Sequence, residues 1–442
     1  MGNSSAKPTE IFGNPSLGVG PMSKNTVQAC GRIANRHGIP LMLIASRRQV
    51  ESKKLGGGYV ENWTTREFCE YVRKECPPNS LLICRDHGGP WQHPSETELD
   101  DESAMKSSLA SFEEDIRSGF QIVHIDTSLE GRGVAETKKA LQRLVELYAH
   151  CHDFARGLGR SVHFEIGFED QSVDTDYPPE FSDKLHDVLR NLTDRKLPLP
   201  LFVVAQTGTK VLETENVGAI KSAPLAVRHS IEQLAKSCSK RGVALKAHNA
   251  DYLPAEKITM LKRCGVSSMN IAPELGVAET RALVAVLKEF NLNAQLEQFL
   301  QLAFESLAWK KWMKPNSQAS DADRAMIAGH YVFGTDECRA IKDAAESACC
   351  RIGKTLDVLL QSKVEESVER YVLASTIYSR SEQTLAMICC PICGKMVLTL
   401  LYDIQPQFTC NLLSLISDTR WATCPLRRFW RQKHFACHFI QR

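Results

Sequence analysis

Net charge is nearly absent from this sequence: 54 basic residues face 52 acidic ones, leaving +2 over 442 positions. Such a balance offers no electrostatic footprint for nucleic acid or an anionic membrane surface. Also missing is any apolar run of about 18 residues, the length a membrane-spanning helix requires. No membrane partner is therefore expected. The opening stretch "MGNSSAKPTEIFGNPSLG" has no apolar signal core, so a cytoplasmic protein is expected. Its "MGNSSAK" fits a loose N-myristoylation pattern that many unmodified chains share, and it is read as chance. Glycines occur in "KLGGGY", but no Gly-Lys-Ser/Thr follows them, which excludes a P-loop. No repeat of solenoid type is present. A small or neutral partner is the expectation that survives.

Cysteine is not scarce. There are 16, scattered, with Cys30, Cys69, Cys84, Cys151 and Cys264 inside helix or strand patterns. In a chain this long they read as buried free thiols in a reducing compartment.

From residue 17 to about 290 one rhythm repeats: a short apolar run, then a longer stretch of helical periodicity. The runs are "LGVGP" (17–21), "LMLIAS" (41–46), "LLICRDH" (81–87), "IVHIDTS" (122–128), "VHFEIGFE" (162–169), "LFVVAQTG" (201–208), "VALKAH" (243–248) and "SSMNIAPE" (267–274). Thr64 and Thr65 precede "REF" as an N-cap would, and Gly242 and Gly265 sit where helices should stop. Eight strand–helix units in order predict an α/β fold of the (β/α)8 TIM-barrel class. The runs stay apolar until their last residues, as strands buried on both faces must. Residues 1–16 read as an N-terminal extension, 17–290 as the barrel, and 291–380 as a helical extension that packs on the barrel or covers its mouth. Residues 381–442 form a Cys-rich tail outside the fold. Within it, Cys390 and Cys393 make a zinc-knuckle-like turn, with His434 and Cys437 at an unusual distance.

Polar residues gather at the predicted strand ends. Asp86 and His87 end the third strand, Asp126 and Ser128 the fourth, Glu165 and Glu169 the fifth. Gln206 and Thr207 end the sixth, His248, Asn249 and Asp251 the seventh, Asn270 and Glu274 the eighth. In a parallel barrel these ends share the face that carries chemistry. Buried acids without partners are costly, so the cluster implies a cation or a polar ligand. His87 and His248, with Glu169 and then Gln206, are candidate ligands for a divalent metal; zinc suits them, nickel and manganese being alternatives. Asp86, beside His87, is the candidate proton acceptor. Each has a plainer reading. A barrel-end histidine can be a hydrogen-bonded structural residue, and His124 is read that way. Asp126 is either catalytic or orients a neighbour, Glu165 either supports a ligand or fills the barrel, and Asp251 either binds substrate or caps the next helix. Arg47, Arg48 and Gln49 end the second strand, where a guanidinium could grip an anionic sugar or simply be solvated. Asn249, Asp251 and Asn270 complete the predicted substrate contacts.

The motifs "ASRRQV…GGGYVENWTTREF", "DHGGPW", "SGFQIVHIDTS", "IGFE", "VVAQTG" and "AHNADY", in this order, resemble the non-catalytic subunit family of class II tagatose-1,6-bisphosphate aldolase and related sugar-phosphate 4-epimerases. The resemblance runs from about residue 17 to 290, and more faintly to 375. It implies a TIM barrel and a divalent metal held by His87 and His248. It also implies Asp86 as acid/base, Glu169 at the family's carboxylate position and Gln206 at its glutamine. Catalytic relatives have histidine where Gln206 stands, which argues against the bisphosphate aldolase itself. Relatives have small polar residues at 47–48, and the tail has no counterpart. Two readings follow, besides a distant third, a zinc-linked binding protein built around the tail. One is a metal-dependent epimerase acting on a ketose or ketose phosphate. The other is a non-catalytic subunit that stabilises an aldolase partner. A homo-oligomer fits either.

Overall fold

Residues 16–167 and 175–389 are described by a computed structural model of the chain, with side chains through Ser375. Eight strands form a closed barrel: β1 Leu17–Val19, β2 Leu41–Ser46, β3 Leu81–Gly88, β4 Ile122–Ile125, β5 His163–Gly167, β6 Phe202–Val204, β7 Ala244–Ala247 and β8 Ser268–Ile271. Each pairs in parallel with its sequence neighbours, and β1 closes on β8 through Leu17↔Met269 and Val19↔Ile271. The eight predicted runs are the eight barrel strands. Parallel strands need crossovers, and helices supply them.

Strand parity divides the residues into two populations. Leu43, Ala45, Ile83, Val123, Phe164, Ile166, Val203, Leu245, Met269 and Ile271 face outward into the core shared with the helices. Met42, Ile44, Leu82, Cys84, Ile122 and Phe202 fill the barrel interior, with Ala244 packed against them. Two residues further along the same interior rows stand Asp86, His124 and Lys246. The interior is thus apolar at the N-terminal end and ionic at the C-terminal end, within one stack of side-chain layers.

The helices begin and stop at local signals. Thr64 caps Thr65–Glu75 in a capping box with Glu67, and Ser23 caps Lys24–His37, which ends at Gly38 in a left-handed conformation. Gly242 and Gly265 take positive φ just past Leu225–Ser239 and Ala255–Arg263. Beyond the barrel, Asn293–Glu305, Asp321–Ala328 and Asp336–Cys350 pack with Pro273–Glu289 around Leu283, Leu287, Phe299, Phe333 and Ile341. The last helix, Leu356–Cys389, returns to the barrel: Val364, Val368, Tyr371 and Val372 join its outer core. Its Glu365 and Glu369 meet Arg32 and His37 of the first helix at 2.6 and 3.0 Å.

The ten cysteines from Cys30 to Cys350 are free thiols, and all of them but Cys350 are buried. Among the described residues no helix is long and apolar enough to cross a membrane. Cys390, Cys393, His434 and Cys437 lie outside the described residues.

Candidate functional site

The site begins with an irregularity in β3. Arg85 pairs with Val123 and Gly88 with Ile125, so three steps along β3 match two along β4. The extra residue is a β-bulge, which re-aims side chains. His87 sits within it at φ 44°, a left-handed conformation costly for a residue with a Cβ. The bulge explains how two sequential residues reach one space, since a regular strand would send them to opposite faces. Asp86 enters on the interior row, and His87 follows through the bulge.

Around them β4 places His124 and Asp126, β5 places Glu165, β7 with its next residue places Lys246 and His248, and β8 places Asn270. His87 Nδ1 lies 2.6 Å from Asp126 Oδ2, and the His87 N–H donates to His124 Nδ1 at 3.3 Å. Glu165 has Lys246 Nζ at 2.6 Å on one oxygen and His248 Nε2 at 3.0 Å on the other. The remaining separations are longer: His124 to Asp86 3.8 Å, His124 to Glu165 3.7 Å, His248 to Asp86 3.8 Å. These exceed hydrogen-bond length. They fit donors converging on a common point rather than on each other. The ring centroids of His87, His124 and His248 are 5.0–5.4 Å apart. Two overlapping sets, His87–His124–His248 and Asp86–His124–Glu165–His248, each bring their donor atoms within 4.8 Å.

Burial works against ionisation of Asp86, but His87, His124 and His248 hold its carboxyl far below the usual range. Burial likewise opposes Glu165, yet Lys246 and His248 bring it down to about 2. Asp126 follows the same logic, held down by His87. Asp86, Asp126 and Glu165 thus rest on positive charge supplied by the imidazoles and Lys246. A bound cation would supply that charge to neutral imidazole ligands, and this donor set of imidazole nitrogen and carboxylate oxygen fits a divalent transition metal.

Of the predicted ligands, the structure brings together His87 and His248. Glu169 lies outside the described residues. Gln206 is buried just past β6, its backbone N–H donating to Asp176 at 2.8 Å. Asp86, Asp126 and Asn270 are at the cluster, with Asn270 Nδ2 3.3 Å from Asp86. Arg47 is not at hand for an anion: its guanidinium is enclosed by Glu51 at 2.6 Å and Glu96 at 2.9 Å. Arg48 beside it is exposed. Gln49 is buried, accepting from the Ser46 N–H at 2.9 Å. Asp251 is a structural acceptor, taking the N–H groups of Ala272 and Glu274 at 2.8 and 2.9 Å. Asn249, at φ 53°, gives its carbonyl to Asn216.

The sequence reading gave His124 a structural role, left Glu165 undecided and passed over Lys246. Parity was the available signal. His124 shares a strand face with Asp126, and Lys246 shares one with His248.

No family model matches the sequence, and neither does any curated protein. Solved structures do match in shape. A probable tagatose 6 phosphate kinase from Sinorhizobium meliloti 1021 superposes with a TM-score of 0.67 at 18% identity, covering 81% of this chain and all of that one. A fructuronate–tagaturonate epimerase from Cohnella laeviribosi gives 0.48 at 11% identity, covering 82% and 81%. An aldolase from Escherichia coli K12 gives 0.39 at 12%, covering 74% and 90%. The first likeness agrees with the strand order in defining the class: an α/β protein built on a TIM barrel, with added helices.

Proposed function

We propose that this chain is a divalent-metal-dependent enzyme of carbohydrate metabolism that acts on a ketose or ketose phosphate, by epimerisation or related aldol-type chemistry. The observation that carries this reading is the gathering of Asp86, His87, His124, Glu165 and His248 at one barrel end, with their donor atoms within 4.8 Å of one another in two overlapping sets. Held by the three imidazoles with Asp86 or Glu165 alongside, a zinc, nickel or manganese ion would supply Lewis-acid polarisation of the sugar carbonyl. The rest falls to the chain's own groups. Asp86, kept ionised, accepts a proton from a substrate hydroxyl or C–H. Asp126 fixes the orientation of His87 through Nδ1, and Lys246 holds Glu165 in place. Asn270 offers its amide to a sugar hydroxyl, and Glu169 would be the second acid/base group. The sugar itself is suggested by the motif resemblance and by the name of the structural neighbour from Sinorhizobium meliloti.

Metal analysis of the purified protein should find about one divalent ion per chain, lost when His87→Ala and His248→Ala are combined. Equal metal content in both proteins would show the centre to be misassigned. Turnover is then sought with fructose 6-phosphate, a free ketohexose and a ketohexuronate, each with zinc, nickel or manganese. Inactivity on every sugar, together with rescue of an unstable aldolase partner, would turn the reading to the stabilising subunit.

A further inference from the structure

The helical extension crosses the C-terminal face of the barrel and is pinned at both sides. The Glu213 N–H, in the hairpin after β6, donates to Trp312 O at 2.6 Å, and Lys314 pairs with Glu213 at 3.2 Å. Across the mouth, Asn62 Nδ2 from the loop after β2 donates to Gly334 O at 2.9 Å. This brings Lys311, Trp312 and Tyr331 against Tyr59. The two tyrosine rings are 4.8 Å apart, and Lys311 Nζ lies 4.8 Å from the Trp312 ring and 5.1 Å from that of Tyr331. The Tyr59 N–H donates to Arg48 O at 3.0 Å, which sets Arg48 beside the same aromatic group, and its charge is felt by Lys311, Tyr59 and Tyr331.

The recess holds two cations and no acid to answer them. Among the described residues neither Arg48 nor Lys311 forms an ion pair or a side-chain hydrogen bond. Both are exposed, so solvent and solutes reach them. Enclosure by protein and the charge of Arg48 still pull Lys311 down to about 8. Polar atoms in the same wall also lack partners among the described residues: both ring nitrogens of buried His330, whose ring lies 4.1 Å from that of Tyr331, and the hydroxyl of Tyr252. The contrast with Arg47, one residue away and closed by two glutamates, shows that this face does supply counter-ions where it needs them.

A polar path links the recess to the acid–imidazole cluster. Asn270 contacts Asp86 and lies over Gly18, where a Cβ would collide with its amide. Gln49 lies beside Gly20 and bonds Tyr59. Gly18 in β1 and Gly20 just past it let Asn270 and Ala272 pack against the backbone there.

We propose that Arg48 and Lys311 form an anion subsite that takes the acidic end group of the substrate, with aromatic walls from Tyr59, Trp312 and Tyr331. Naming that substrate a sugar rests on the proposed function above. Two unpaired positive charges match a phosphate ester, and a sugar carboxylate is the other source of the same chemistry. A guanidinium and an ammonium in one neighbourhood suit either oxyanion.

Calorimetric titration with inorganic phosphate, fructose 6-phosphate, fructose and a ketohexuronate tests this. Arg48→Ala and Lys311→Ala should each weaken phosphate binding about tenfold, and the pair about a hundredfold. Lys311→Arg should restore it, exposed Lys310→Ala should leave it unchanged, and fructose should bind every variant alike. Loss on the phosphate ester assigns a phosphate end group, and loss on the ketohexuronate alone assigns a carboxylate. Phosphate and both acidic sugars binding wild type and the double variant equally, or not binding wild type at all, would overturn the subsite. The His87→Ala, His248→Ala protein should still bind phosphate. The subsite can thus stand where the metal reading fails, and the reverse.

Discussion

Two ionic clusters are buried side by side on this barrel, and they are built on different terms. On the outward row of β3, Arg85 grips Asp115 with two parallel bonds of 2.6 and 2.8 Å, and it also donates to the carbonyls of Ala45 and Val50. Arg47 fills the space between Glu51 and Glu96, and Ser111 satisfies Glu51 at 2.9 Å. Donors and acceptors there meet at hydrogen-bond length. On the inward row, one residue along, Asp86 has His124 and His248 at 3.8 Å and Asn270 at 3.3 Å. The first cluster sets three carboxylates on two guanidiniums in direct contact and ties β2 and β3 to the helix Asp101–Ser118. The second keeps its carboxylates and imidazoles apart. Clusters completed within the fold serve stability, whereas one left incomplete is arranged for something the fold does not contain.

Paired substitutions can break that comparison. Asp86→Asn should lower turnover by about 10²–10⁴-fold while the protein still folds and still binds metal through the imidazoles. Turnover kept near that of wild type would place Asp86 in the structural class. Arg85→Met should do the opposite. It strands Asp115 in the outer core and should cost about 3–5 kcal/mol of stability, measured as a fall in the urea midpoint. Adding Asp115→Leu should recover much of that loss, since a well-packed apolar pair can replace a buried ion pair. Failure to recover would mean that Arg85 works through its bonds to Ala45 and Val50 instead.

A third buried charge-bearing group separates the two cases by pH. Burial, and then Lys311, push His330 down to about 3. Below about 6.5 the unfolded chain takes up a proton that folded His330 refuses, so the unfolded state binds more protons and stability falls as pH falls. The contribution is complete above about 6.5 and is lost toward 3, at a slope of up to about 1.4 kcal/mol per pH unit. His330→Phe should flatten this limb in urea titrations between pH 7 and 4. An unchanged slope would assign the acid sensitivity to other groups.

The barrel was legible because its signal is long and redundant. Eight apolar runs, the third to the eighth of them ending in polar residues, leave few other ways to bury both faces of every strand. The ligand set was less legible, for local reasons. A one-residue bulge does not show in a hydrophobic pattern, and without it Asp86 and His87 appear to face apart. His124 sits in an apolar run, where a histidine reads as packing, and only its parity with Asp126 places it at the mouth. The two arginines after β2 look equivalent in the chain. The Arg47–Glu51 spacing of four residues, which closes one of them, becomes meaningful only once Glu96 arrives from a different loop. Lys311 could not be placed at all, because the path of a helical extension depends on contacts distant in sequence.

The smallest change tests the finest point, that the inward cluster depends on room made for His124. Gly167 lies on the inward row of β5, and a Cβ there would stand 2.8 Å from His124 Nε2. That distance is shorter than packed atoms tolerate, and His124 is buried among Asp86, His87, Glu165 and Gly167 with little freedom to yield. Gly167→Ala should therefore displace the imidazole and weaken metal affinity by about 10–100-fold. The steric cost to stability should be only about 1–3 kcal/mol, because β5 itself continues to pair with β4 and β6. Adding His124→Ala to it should restore stability without restoring metal. If Gly167→Ala binds metal as wild type does, His124 is packing after all, and the centre reduces to His87, His248 and their carboxylates.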